Sequence, residues 1–153
     1  LALAIVIAAV PAFARQWPVF EQLKFARATI GWHDVAQAVR SRLAAERYRA
    51  LLVDTREMAA EMLYYLRDSG VPLYVWAPGP EPHDHYQMTR ALPALAPEPI
   101  LFVSLRPCRP EITNAFAGVQ SLGVEPVPLV ETRTRSVYLC RLSGYRGAGM
   151  ETR

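Results

Sequence analysis

Apolar and polar positions along the chain change period several times, and each change marks an element. From residue 33 to about residue 46 the pattern is helical. Val35, Ala38, Val39 and Leu43 recur at three- and four-residue steps and put one apolar stripe on a helix face. Residues 49–54, Arg-Ala-Leu-Leu-Val-Asp, form a short unbroken apolar run ending in a polar residue, the signature of a strand buried on both faces. Asp54 is expected to cap the helix that follows, with Glu57 three residues on as its capping-box partner. That helix carries Met58, Met62, Tyr65 and Leu66 and is expected to stop near Ser69 and Gly70, where glycine accepts left-handed backbone.

A second strand is predicted over residues 71–76. Residues 77–82 hold three prolines and a glycine and read as a loop, and residues 83–90 as one or two helical turns. Residues 99–104 predict a third strand. Pro110 suits the first turn of a helix, which is expected to run through Phe116 and Gln120. Residues 124–130 and 136–142 alternate like an antiparallel pair joined by the charged turn 131–135. Alternation of helix and buried strand through the first hundred residues implies crossover connections and a parallel sheet. The expected fold is therefore a three-layer, Rossmann-like α/β sandwich, mostly parallel, with the last two strands as an antiparallel edge pair.

Residues 1–14, LALAIVIAAVPAFA, carry no charge, and Arg15 ends the run. Spanning a membrane takes about 20 apolar residues, so the run is too short for a whole transmembrane helix. It is read as the end of a truncated one. A cleaved signal peptide, supported by the Ala12-Phe13-Ala14 triplet, and a buried helix are the alternatives. The expected organisation is a membrane-helix tail over 1–15, a juxtamembrane connector over 16–30, a soluble α/β domain over 31–147 and a disordered tail over 148–153. In the connector, Trp17, Phe20 and Phe25 suit either the headgroup level of a bilayer or packing against the domain.

Composition narrows the functional classes. At 153 residues and 52% hydrophobic, the chain can bury one full core, and it lacks the composition of a disordered protein. The net charge of +3 does not make a nucleic-acid surface. The cations are almost all arginine, with Lys24 the sole lysine. They are scattered, and Arg40, Arg42, Arg47 and Arg49 surround Glu46 on one helix and its exit. Cys108 and Cys140 have no metal-ribbon or thioredoxin spacing. They are read as two ordinary buried thiols, with a disulfide as the alternative if the chain lies outside the cytoplasm.

Ligands of open parallel sheets bind beyond the carboxyl ends of strands. Those ends here offer Asp54, Trp76 with its proline-rich loop, and Ser104-Leu105-Arg106. A phosphoryl-accepting aspartate would normally have a second acid two residues on, and that place is Arg56. Asp54 is therefore read as a cap. His83-Asp84-His85-Tyr86 could hold a metal, but no further ligand sits at ligating distance in sequence, and it reads better as a polar segment anchored by hydrogen bonds. It could also line a groove beside Trp76. The candidate contact residues are Arg56, Trp76, Asp84, His85 and Tyr86. No glycine-rich phosphate loop, G-x-S-x-G elbow or P-loop occurs, so no catalytic residue, metal or cofactor is assigned. A small hydrolase using Asp54, His83 or His85 is the competing enzyme reading.

The run Arg56-Glu57-Met58-Ala59-Ala60-Glu61-Met62-Leu63-Tyr64-Tyr65-Leu66, then Trp76, then Asp84-His85-Tyr86-Gln87-Met88, and the closing stretch from Tyr138 to Gly147 together resemble one domain. It is the C-terminal soluble portion of bacterial family 39 glycosyltransferases, relatives of the protein mannosyltransferases and of aminoarabinose transferase. The likeness rests on the order and spacing of these segments. It implies a polytopic membrane parent that moves a sugar from a polyprenyl-phosphate carrier to a lipid, glycan or protein acceptor. Its catalytic carboxylate would lie in an early extracytoplasmic loop outside this sequence, so this chain would be a non-catalytic domain on the periplasmic side of the inner membrane. The implied partners are the membrane, the transmembrane portion of the parent and a lipid-linked sugar, with no nucleic acid. Arg15, Lys24 and Arg27 bias the other way by the positive-inside rule, and the resemblance is given more weight. A freestanding secreted α/β binding protein is the alternative.

Overall fold

The computed structural model describes residues 30–79, 81–130 and 133–147. The expected membrane-helix tail, the connector up to residue 29 and the tail 148–153 lie outside the described residues. Among the described residues no helix is long and apolar enough to cross a membrane. The elements in chain order are α1 (Trp32–Ala45), β1 (Ala50–Val53), α2 (Arg56–Tyr65), β2 (Leu73–Val75), α3 (His85–Arg90), β3 (Ile100–Ser104), α4 (Pro110–Thr113), β4 (Phe116–Val130) and β5 (Arg133–Tyr145). They build an α/β fold around one mixed five-stranded sheet of order β2-β1-β3-β5-β4. The first three strands of that order are parallel, and the β4–β5 hairpin joins antiparallel through β5.

The apolar runs are strands because both faces of the sheet are covered. Leu51, Val53, Leu101 and Val103 point to one face and pack with Val35, Val39, Met58 and Met62 from α1 and α2. The alternate residues Ala50, Leu52, Ile100 and Phe102 point to the other, where Leu92, Ile112 and Phe116 cover them. A period-2 strand can be apolar throughout only in such a two-sided setting. The second face is covered mostly by short segments and the beginning of β4, not by long helices.

Two sequence expectations about this half of the chain are corrected. The helix expected to run from Pro110 to Gln120 is a single turn, Pro110–Thr113, and the chain re-enters the sheet at Phe116. Two close approaches need glycine there. A Cβ on Gly118 would collide with the Ser143 hydroxyl, and Gly144 takes φ +66 against Ala117. Pro126 and Pro128 then fall in β4, the outermost strand. Proline cannot donate to a sheet ladder, so an edge is where a strand tolerates it.

Asp54 also does not cap α2. Thr55 does: the Met58 N–H donates to its hydroxyl at 3.3 Å. Asp54 is thereby free to turn toward β3. Thr55→Ala is expected to destabilise the fold by about 1 kcal/mol, read in a urea melt; an unchanged midpoint would return the cap to Asp54.

The parallel strands and the N-terminus of α1 share an end. Ser104, the last residue of β3, pairs with Tyr138, so residues 133–137 of β5 reach beyond the carboxyl ends of the parallel strands. Gly31, at the start of α1, lies against Leu129 of that same hairpin. It takes φ +83, and an added Cβ there would run into Leu129. Arg135 lies 4.5 Å from the centre of the Trp32 ring. The carboxyl edge of the sheet therefore lies at the same end as the start of α1.

At the opposite edge, Arg141 of β5 donates to Glu46 at 2.8 Å and lies over the buried Tyr48 ring. Burial first, and the neighbouring Glu46 carboxylate second, push the Tyr48 phenol up to about 12. The folded state therefore holds this proton more tightly than the unfolded chain. Its stabilising contribution is complete below pH ~10 and fades as pH rises through ~12. Over that window the wild type is expected to lose about 2 to 3 kcal/mol more stability than Tyr48→Phe. Parallel pH–stability curves for the two proteins would refute this.

Candidate functional site

Parallel pairing sets the geometry of the carboxyl edge. Val53 of β1 stands opposite Val103 of β3, so the next residues, Asp54 and Ser104, emerge side by side. The Ser104 hydroxyl donates to Asp54 Oδ2 at 2.9 Å and accepts from the Arg106 N–H at 3.0 Å, which folds the chain back over the strand end. Arg109 comes in from beyond that turn, its guanidinium 3.6 Å from the same carboxylate oxygen. The Asp54 side chain is only 2% exposed, against 41% for Arg109. Asp54 Oδ1 and Arg109 Nε are both buried without a hydrogen-bond partner. Arg56 stands exposed on the first turn of α2, and Arg106 is exposed just past β3.

Cys108, beside Arg109, is joined by a disulfide to Cys140 in β5. This corrects the expectation of two free thiols. Cys140 is buried beneath the β3–β4 connection, so the bridge ties the Arg109 loop to the sheet. Disulfides persist in oxidising compartments, so this bond points to an extracytoplasmic location.

The residues singled out from the sequence do not form one cluster. Trp76 is 4% exposed and packs on Phe116 and Tyr145, so it belongs to the core and does not wall an open groove. Asp84 caps α3, accepting from the Gln87 N–H at 2.9 Å. Gln87 in turn accepts from the His83 N–H and donates to the Trp76 carbonyl. The segment is thus anchored by hydrogen bonds. His85 is exposed, and Tyr86 is half-buried against the α1–α2 core. Among the described residues no three His, Cys, Asp or Glu side chains gather as a metal site. Arg56 lies two residues from Asp54, on the adjoining turn, and the Trp76 backbone bonds to the neighbouring Val53 carbonyl while its ring is turned into the core.

A second concavity of about 280 Å³ lies between α1 and α2, lined in part by His33, Arg40, Tyr64 and Arg67. Its cations are engaged by the helices themselves: Arg40 donates to the Tyr65 carbonyl at 2.7 Å, and Arg67 lies over the Tyr64 ring. The Asp54–Ser104–Arg109 group is the stronger candidate because it sits at the carboxyl ends of the parallel strands and combines a deeply buried carboxylate, a nearby cation and unsatisfied atoms. Arg109 was missed in the sequence. Nothing in its spacing marks it, since the chain turn at Ser104 and the disulfide at Cys108 are what bring it back to Asp54.

Comparison of the chain with known protein families, with characterised proteins and with solved structures gives no match. The class it defines is therefore set by its own architecture: an α/β domain of mixed sheet with an ionic cluster at the carboxyl ends of its parallel strands.

Proposed function

We propose that this chain is a non-catalytic, extracytoplasmic domain of a membrane glycosyltransferase that takes its sugar from a polyprenyl-phosphate carrier. The observation that carries the reading is the Cys108–Cys140 disulfide, a bond suited to an oxidising compartment. The resemblance to the soluble portion of family 39 glycosyltransferases supplies the parent. The three parallel strands of the mixed sheet, covered on both faces, are in keeping with the Rossmann-like sandwich read from the alternation of helix and strand. The carboxyl edge, at the same end as the start of α1, is the side such a domain would present to a membrane-embedded parent. Asp54 is paired with Ser104 and an arginine, and among the described residues no metal-binding group of His, Cys, Asp or Glu gathers, an arrangement in keeping with a structural or binding role.

The test is cellular. Alkaline phosphatase fused after residue 153 is expected to be active, and the fusion to stay with membranes through carbonate extraction. An inactive fusion would place the domain in the cytoplasm and end the proposal. An active fusion released in soluble form would select the secreted binding protein instead.

A further inference from the structure

Asp54 makes its contacts within the fold: its side chain is only 2% exposed and meets Ser104 and Arg109. Room for a ligand lies elsewhere, in the concavity of about 280 Å³ between α1 and the end of α2. That is slightly below the size that holds a drug-sized molecule, and enough for a single small ring. The room exists because Ala36, buried in α1, lines it with nothing larger than a methyl group. His33, Gln37 and Arg40 line it from the same face of that helix, spaced by four and three residues.

Three aromatic rings form one wall. The His33 and Tyr65 rings meet edge to face with centres 5.8 Å apart, and Tyr65 and Tyr64 do so at 5.0 Å. Such contacts hold the rings in place before anything binds, which lowers the ordering cost of binding. Tyr64 is still 63% exposed, so much of its ring remains open.

The polar side chains supply both hydrogen-bonding senses. Arg40 uses Nη2 on the Tyr65 carbonyl at 2.7 Å, and Arg67 uses Nη1 on the Tyr64 carbonyl at 2.8 Å. A guanidinium has five N–H donors, so each keeps donors beyond the one that fixes it. Gln37 adds an amide and Asp68 a carboxylate. The charges nearly cancel. Arg67 stands 3.8 Å from the Asp68 carboxylate, and Asp34, 3.5 Å from the His33 ring, is opposite in sign to Arg40. An anion would meet Asp34 and Asp68, and a cation would meet both arginines, so a full charge gains little either way. A neutral ligand with several hydroxyls and an apolar ring face uses what is present. Its hydroxyls suit the arginine, amide and carboxylate groups, and the slightly positive C–H edges of a saturated ring suit the negative face of a tyrosine.

We propose that the concavity between α1 and α2 binds a neutral pyranose sugar, with one ring face on Tyr64 and hydroxyls on Arg40, Gln37 and Asp68. The inference rests on this lining and not on the parentage proposed above, so its failure would leave the compartment and the parent untouched.

The experiment records amide NMR spectra of the 153-residue chain during titration with glucose, in a polyoxyethylene detergent that carries no sugar. Saturable shifts at millimolar glucose are expected among residues 33–40 and 64–68. Sorbitol has the hydroxyls but no ring to set on Tyr64, and is expected to bind about five- to tenfold more weakly. Tyr64→Ala, at an exposed position, should keep the fold and weaken glucose by about the same factor. Gln37→Ala, also exposed, removes an amide without touching the rings and is expected to weaken glucose about threefold. It keeps the test open if Tyr64→Ala fails to fold. Benzoate, an anion of similar size, should not displace glucose. No saturable shift in the two segments, sorbitol bound as well as glucose, displacement by benzoate, or a folded Tyr64→Ala with wild-type affinity would each overturn the proposal. Methyl glucoside separates the two sources of such a ring: binding equal to that of glucose assigns the end of a glycan, and loss of binding assigns the free sugar.

Discussion

Replacing Cys108 and Cys140 together by serine is expected to lower the stability of the folded chain by about 3 to 4 kcal/mol. That is the unfolded-chain entropy released when a loop of this span, a sequence separation of 32, is opened. The loss should be reproduced by reducing the wild-type protein, and the reduced double variant should show no further change. Denaturant melts of the three samples measure it directly. If oxidised wild type and the double variant unfold at the same midpoint, the bridge contributes nothing. A second consequence follows from position. Cys108 precedes Arg109, and the bridge pins that loop to Cys140, buried in β5. The double variant should therefore no longer hold the Arg109 guanidinium beside Asp54. Arg109→Gln is expected to lower the melt as well, because it leaves the buried Asp54 carboxylate with no cation beside it.

Much of the sheet could be read from residues alone, and the reasons are physical. Runs such as Leu51-Leu52-Val53 and Ile100-Leu101-Phe102-Val103 are apolar on both faces, and only a covered strand supports that. What stayed hidden depends on partners distant in sequence. Asp54 and Thr55 are both good helix caps, and which one serves is decided by Ser104 across the sheet, fifty positions on. The beginning of β4 looked helical after Pro110 because Gly118 and its small and polar neighbours give little local strand signal; pairing with β5 overrides that weakness along the hairpin. The disulfide could not be chosen over two thiols without knowing that the loop after β3 folds back over β5. Arg109 was illegible for the same reason, since its place in the site is made by a turn and a bridge.

Trp76 is where the sequence reading and the structure diverge most in consequence, and its substitution separates the two. A tryptophan beside a proline-rich loop at a strand end resembles a ligand-stacking surface. In the fold its ring meets Phe116 at 6.5 Å and Tyr145 at 6.4 Å between centres, with 4% of the residue exposed. Its N–H donates to the Val53 carbonyl at 2.8 Å, and its carbonyl accepts from Gln87, so the backbone is held between β1 and the α3 segment. Truncating such a ring removes its transfer energy and leaves a cavity that its aromatic neighbours only partly fill. Trp76→Ala is expected to cost about 3 to 5 kcal/mol. In a domain of this size that lowers the melting temperature by roughly 6 to 20 °C. Trp76→Phe, which keeps a ring in contact with Phe116, should lose clearly less. A wall of a binding groove would behave in the opposite way: the melt would stay within about 2 °C of wild type and ligand affinity would drop.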